Sequence, residues 1–174
     1  LDEDTLAVAG GNTGSGSKSV IMIEDELDLI YTNRKFPNHI LQEYLKEDEG
    51  EFTCGLFRSS KGEIRYIVFK RDLQSGYSVY GEIVDNKLIN QLLVKIAILL
   101  NLKGSINIQL RIVNDIPYVF EINPRFSSTV RFRDLYGFRD VLWVLEDHLN
   151  QKISDYCKPS NGAKFFKGFN EYIL

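Results

Sequence analysis

The run Tyr118-Val-Phe-Glu-Ile-Asn-Pro-Arg125 constrains this chain more than any other segment. Apart from Glu121 and Asn123 it is apolar or aromatic up to a proline, so it reads as a strand that ends where Pro124 has no N–H for a ladder. Side chains two apart on a strand share a face, which puts Glu121, Asn123 and Arg125 on one side and Phe120 and Ile122 on the other. Upstream, Asn107-Ile-Gln109-Leu-Arg111 alternates in the same way. The turn-like Asn114-Asp115 between the two runs predicts a hairpin. Such a hairpin gathers amide oxygens, a carboxylate and a guanidinium. Mg2+ takes oxygen ligands and shares its sphere with substrate phosphates, and arginine presents a planar fork to phosphoryl oxygens. Gln109, Glu121 and Asn123 are therefore candidate metal ligands, with Arg125 as a phosphoryl contact. The plain alternative is a solvated polar hairpin face.

Composition narrows the class. At 174 residues, 44% hydrophobic and 12% aromatic, the chain is no disordered segment and supports one compact core or two lobes. A net charge of -3 and a pI near 5.5 exclude broad attraction to nucleic acid or an anionic membrane, so any phosphate binding must be local. The apolar stretch 92–102 is broken by Lys95 and Asn101 and is too short for a bilayer. No signal-peptide pattern opens the sequence, and a cytoplasmic location is expected. Cys54 and Cys157 are too few and too far apart for zinc and read as incidental thiols. His39 reads as structural, and His148, beside Leu145 and Leu149, as a helix-surface residue.

Along the chain, a strand at 5–8 leads into a glycine-rich loop at 10–19 and a strand at 20–23. A helix follows at 24–34, with Leu27, Ile30 and Tyr31 at helical spacing, then a strand at 40–45 and an acidic turn. Strands at 51–57 and 64–71 flank a turn at 59–62, and 74–79 reads as a loop. Apolar residues three and four apart mark a helix from about Asp85 to Asn101. After the hairpin come a loop around 131–133, a helix at 138–150 and a closing strand at 164–174. The glycine loop approaches a Walker A motif, but Ser17 intervenes between Gly16 and Lys18 and the next segment is a strand, so a P-loop is disfavoured. A hairpin flap, with backbone N–H groups and Lys18 aimed at a triphosphate, fits better; a plain flexible connection is the alternative.

Taken in order, the glycine-rich flap, Ile40-Leu-Gln-Glu-Tyr-Leu45, the long helix, Asn107-Ile-Gln109 and Phe120-Glu-Ile-Asn-Pro-Arg-Phe-Ser-Ser128 resemble an ATP-grasp protein. The resemblance covers about residues 8–150 and is to the carbamoyl-phosphate synthase large-chain branch and its carboxylate–amine ligase relatives. It implies an α+β ATP-grasp fold in which two α+β lobes with antiparallel sheets sandwich a nucleotide. The smaller lobe would be 1–71, with flap and hinge strand, and the larger 72–174, with the metal strands. It implies ATP with Mg2+, or Mn2+ in its place. Gly14, Ser15, Gly16, Ser17 and Lys18 would cover the phosphates. Gln42, Glu43, Tyr44 and Leu45 would form the hinge, with backbone groups of Glu43 and Leu45 meeting adenine. Glu51 would receive ribose hydroxyls, and Arg71 would contact phosphate unless it is an ordinary solvated strand-end charge. Gln109 and Glu121 would hold the metal, Asn123 would complete the site, and Arg125 would touch the transferred phosphoryl group; Asn123 and Arg125 form the implied catalytic pair.

The implied reaction activates a small-molecule carboxylate as an acyl phosphate for attack by an amine. Two departures accompany the resemblance. Where the family carries a phosphate-binding lysine ahead of the glycine loop, this sequence has Ala9, Gly10 and Gly11, which opens the alternative of a noncatalytic nucleotide-binding or assembly module. The family's N-terminal Rossmann-like subdomain has no counterpart before Thr5 and would come from elsewhere, such as a partner chain. Apolar surface exposed by its absence is expected to favour a homodimer.

Overall fold

Strand β4 (Glu51–Arg58) is buried along nearly its whole length because it has a ladder on each side. It pairs antiparallel with β5 (Ile64–Gln74) and with β7 (Gly104–Val113). This double pairing sets the domain organisation. A computed structural model describes residues 7–11, 20–45, 50–74 and 77–168, and the chain divides into Leu1–Lys46 and Glu47–Leu174. The lobe boundary expected after Arg71 therefore moves to the 46/47 junction, since β4 and β5 are bonded into the larger unit's sheet.

In the smaller unit, β1 (Ala7–Gly11) lies between β2 (Ile21–Ile23) and β3 (His39–Glu43), all antiparallel. Helix α1 (Glu26–Lys35) starts where the side chain of Asp25 accepts from the N–H of Asp28 at 2.8 Å. Acidic residues in its first turn and basic ones in its last complement the helix dipole. The apolar residues that suggested this helix, Leu27, Ile30 and Tyr31, are exposed, whereas Leu29 packs with Ile21 around buried Ile23. Gly14, Ser15, Gly16, Ser17 and Lys18 of the glycine loop lie outside the described residues, as do residues 46–49 of the acidic turn.

The larger unit is a six-stranded antiparallel sheet in the order β8-β7-β4-β5-β6-β9, with β6 at Tyr77–Ile83, β8 at Ile116–Asn123 and β9 at Lys164–Phe166. Alternation gives it two different faces. One carries Phe52, Cys54, Leu56, Val68, Ile108 and Leu110, and helix α2 (Lys87–Leu99), capped by Asn86, closes it with Ile89, Leu93 and Ala97. The other is apolar at one end only. There Phe57, Ile67 and Phe69 lie beneath Phe138 and Trp143, at and just before helix α4 (Asp140–His148). Toward the other end of that face the side chains turn polar: Thr53, Glu51, Arg71, Asn107, Gln109 and Arg111. Among the described residues no helix is long and apolar enough to cross a membrane.

Two expected loops are ordered elements. Of the loop expected at 74–79, Gln74 ends β5 and residues 77–79 belong to β6, while 75 and 76 lie outside the described residues; a register shift between Asp72 and Leu73 and a small residue at Gly81 hide the alternation. Gly81 is required, because a Cβ there would lie 2.2 Å from the ring of Phe165. The segment 131–133 belongs to a short helix, α3 (Val130–Leu135), whose Arg133 is buried rather than solvated.

Burial pushes the Cys54 thiol up to about 12, whereas Cys157 is exposed. Thiolate is the reactive form. A thiol reagent at mildly alkaline pH should modify Cys157 alone in the folded chain and both cysteines after denaturation, as counted by intact mass. Native-state modification of Cys54 would contradict the packing under α2.

Candidate functional site

Asn114 (φ 51°) and Asp115 (φ 63°) both lie in the left-handed region, as the central residues of a type I′ hairpin turn must. This two-residue turn sets the first pairs of the β7–β8 ladder, Val113 with Ile116 through Leu110 with Val119. Leu110 and Val119 belong to the core under α2. The next pair is Gln109 with Glu121, so Phe120 is an extra residue, a β-bulge. The expected alternation fails there. The ring of Phe120 lies 5.6 Å from the Arg111 guanidinium instead of joining the core. Beyond the bulge, Glu121 and Asn123 stand directly opposite Gln109 and Asn107 on the polar face.

The three candidate metal ligands are thus brought together. Glu121 is exposed, while Gln109 and Asn123 are half-buried. Arg125 is placed differently: β8 ends at Asn123, and the N–H of Arg125 turns back to the Asn123 carbonyl at 2.8 Å. Its guanidinium is exposed just past the strand end and donates to the Phe126 carbonyl at 3.2 Å.

Beside this row sits an ion-pair cluster. Glu51 faces Arg71 on one neighbouring strand and Arg111 on the other, in register with both. Arg71 donates through Nε and Nη2 to Oε1 of Glu51, the Nε bond being 3.2 Å, and Arg111 Nη2 reaches Oε2 at 3.2 Å. Arg71 also donates to Gln109 Oε1 at 2.8 Å and to Ser78 Oγ at 3.3 Å. Only 7% of Arg71 is exposed, which rules out a solvated strand-end charge. It ties Glu51 to a candidate metal ligand. A carbonyl oxygen has two lone pairs, so Gln109 retains one for an ion. Sequence reading missed Arg111 and the pairing of Glu51. A count from the expected turn at 59–62 sets Glu51 opposite Lys70; the observed turn, in which the Ser59 N–H donates to the Glu63 carbonyl, shifts the register by one and sets Glu51 opposite Arg71.

The residues expected to form the hinge lie in the smaller unit. Gln42 and Glu43 end β3, an edge strand of its sheet, and are exposed; Tyr44 and Leu45 follow it and are half-buried. Ala9, Gly10 and Gly11, where a lysine was expected, lie on the central strand β1.

The chain is thus an α+β protein whose larger antiparallel sheet carries a row of side-chain oxygens flanked by arginines. Residues 35–166 match the family described as ATP-grasp in the biosynthetic pathway with Ter operon, and the chain belongs to that ATP-grasp family. Similar solved structures include N5-carboxyaminoimidazole synthetase from Staphylococcus aureus complexed with ADP, at 16% identity and TM-score 0.69, over 87% of this chain and 43% of that one. N5-carboxyaminoimidazole ribonucleotide synthetase from Thermus thermophilus matches at 11% identity and TM-score 0.70, over 91% and 44%. The carboxyaminoimidazole ribonucleotide synthase from Aspergillus clavatus complexed with ATP matches at 13% and 0.66, over 87% and 42%. At these identities the likeness is one of fold, and the chain spans less than half the length of these relatives. No curated protein matches it.

Removing one partner of a buried ion pair leaves an uncompensated charge and costs roughly 3 kcal/mol. Glu51→Ala should destabilise the larger unit by about that amount, read as a lowered denaturation midpoint at Trp143 fluorescence. An unchanged midpoint would mean that solvent already screens both arginines.

Proposed function

We propose that this chain is the ATP- and Mg2+-binding part of an ATP-grasp ligase that activates a carboxylate as an acyl phosphate for attack by an amine, similar to the carbamoyl-phosphate synthase large chain. The observation that carries this reading is the register that sets Gln109 across from Glu121, with Asn123 two residues further along the same face. The donor set suits Mg2+: three side-chain oxygens, only one of them charged, match an ion that completes its sphere with nucleotide phosphates. Bound there, Mg2+ would neutralise charge building on the transferred phosphoryl group.

The chain's own residues have distinct tasks. Arg71 holds the oxygen of Gln109 in place, and Glu51 balances Arg71 and Arg111 so that the ligand row is not overwhelmed by positive charge. Glu51 would receive ribose hydroxyls only through lone pairs that the arginines leave. Arg125, exposed beyond the strand, is free of carboxylate partners among the described residues and would meet the phosphoryl oxygens. The flap at Gly14 to Lys18 would cover the phosphates, and backbone groups of Glu43 and Leu45 would meet the adenine edge. In that reaction a substrate carboxylate oxygen would attack the γ-phosphorus as the bond to the ADP oxygen breaks; the amine nitrogen would then bond to the acyl carbon as the C–O bond to phosphate breaks, releasing phosphate and a proton to solvent. Preorganised cations and exclusion of water are the main physical requirements. Whole-ligase turnover would draw on parts of such enzymes that these residues do not span.

Calorimetric titration with a non-hydrolysable ATP analogue should show binding that Mg2+ strengthens, and Glu121→Ala should remove the Mg2+ effect. Full Mg2+ dependence in that variant would overturn the ligand assignment. The uncharged Ala9, Gly10 and Gly11 favour a second reading, a noncatalytic nucleotide-binding module. The two separate on acyl-phosphate turnover once the chain is assembled with the remainder of its ligase: turnover supports the first, and binding without turnover the second.

A further inference from the structure

Helix α2 turns a second apolar face away from the sheet. Ile89, Leu93 and Ala97 close the core, while on the other side of the same helix Leu88, Ile98 and Leu99 are exposed at 48%, 61% and 72%, and Leu92 is half-buried. The outward residues Leu88, Gln91, Lys95 and Ile98 follow one another at spacings of three, four and three, the repeat of a seam between two helices. An open groove of about 730 Å3, lined by Tyr66, Lys87, Gln91, Val94, Lys95 and Ile98, runs along one flank of this stripe. Apolar surface gathered on one exposed face marks an interaction site.

The charges on the stripe select the partner. Helix α2 holds two charged residues, Lys87 and Lys95, and no acidic one. Lys87 occupies the first turn, where a cation opposes the helix dipole, and the last turn has no basic residue to complement that dipole. A second α2 laid antiparallel corrects both faults, because it sets Lys87 of each copy beside the C-terminal end of the other helix. With a two-fold axis at the level of Leu93, Leu88 stands across from Ile98 and Leu99 of the second copy, and Gln91 stands across from Lys95. Apolar residues then meet at both ends, and each ammonium faces a neutral carboxamide. Parallel pairing would stack Lys87 on Lys87 and Lys95 on Lys95. A lysine within an otherwise apolar seam sets register and orientation in this way, at some cost in stability.

We propose that the chain forms a two-fold homodimer through α2, with the same helix of a second copy packed antiparallel against it. The pairing is independent of the nucleotide reading. Helix α2 covers the apolar face of the six-stranded sheet, whereas Gln109, Glu121 and Asn123 lie on the opposite face, so the two rows of a dimer point away from each other and stay open. A helix of 13 residues is about 20 Å long. The contact is therefore small, and the dimer is reversible rather than permanent.

The test is sedimentation equilibrium of the full 174-residue chain over a wide concentration range. The mass should rise reversibly from 20.0 kDa toward twice that value. Leu99→Arg should hold it at the monomer value with Trp143 emission unchanged, since a cation in the last turn suits the dipole of the lone helix but stands against Lys87 of the second copy. Orientation is read by crosslinking in a Cys157→Ser background, where buried Cys54 does not react. Chains carrying Leu88→Cys, mixed with chains carrying Leu99→Cys, should be joined to one another by a short bis-maleimide and not to their own kind. A monomer at every concentration, a dimer that survives Leu99→Arg, or crosslinks between like positions would each overturn the proposal.

Discussion

Which side of the sheet Glu121 occupies depends on one unpaired residue. Counted from the type I′ turn without interruption, β8 would set Phe120 opposite Gln109 and Glu121 opposite Ile108, inside the core that α2 closes. A carboxylate there would lack the partners that burial demands. The bulge at Phe120 shifts the count by one and returns Glu121 to the polar face. Everything else at the site is tuned to this choice: the arginines that flank the row, the carboxamides on either strand, and the turn at Pro124 that releases Arg125.

The division of the sheet into unlike faces explains how so much charge is tolerated beside a core. Glu51, Arg71 and Arg111 occupy cross-strand positions that pair them by register alone, so little side-chain freedom is spent in bringing them together. Arg133 and Asp140 sit deeper and farther along the same face, where Phe57, Phe138 and Trp143 shut out water. Charge is thus graded across one surface, from exposed Glu121 and Arg125 through the half-buried amides to a fully buried guanidinium.

Much of the fold was readable from the sequence because its strands alternate and its turns carry their usual residues. The hairpin followed from Asn107 to Arg111, Asn114-Asp115 and the stop at Pro124, and α2 from its apolar spacing. Three features escaped for physical reasons. The bulge is invisible because Tyr118, Val119 and Phe120 are all compatible with either face. Strand β6 lacks contrast since Gly81 lies under a ring supplied by the distant Phe165. Helix α3 escapes because Arg131 and Arg133 look alike in sequence, yet one is exposed and the other is buried and hydrogen-bonded to Asn107. At the candidate site, the residue types of the row can be read from the sequence, while the network around them depends on two ladders joined through β4 and cannot be seen in any one segment. The spacing of Leu27, Ile30 and Tyr31 gave the right helix for the wrong reason, since its capping and end charges support it better than those exposed side chains do.

The chain holds a single tryptophan, and it sits at 0% exposure among Phe57, Phe138 and Tyr156 in the larger unit. The smaller unit has its own sheet and its own small core around Ile23. Tryptophan emission is consequently a local spectroscopic probe of the larger unit's interior, whereas far-ultraviolet circular dichroism sums both units. Any difference between the two unfolding curves measures how far the chain departs from a single cooperative transition. A midpoint read at Trp143 is that of the whole protein only where the two curves coincide.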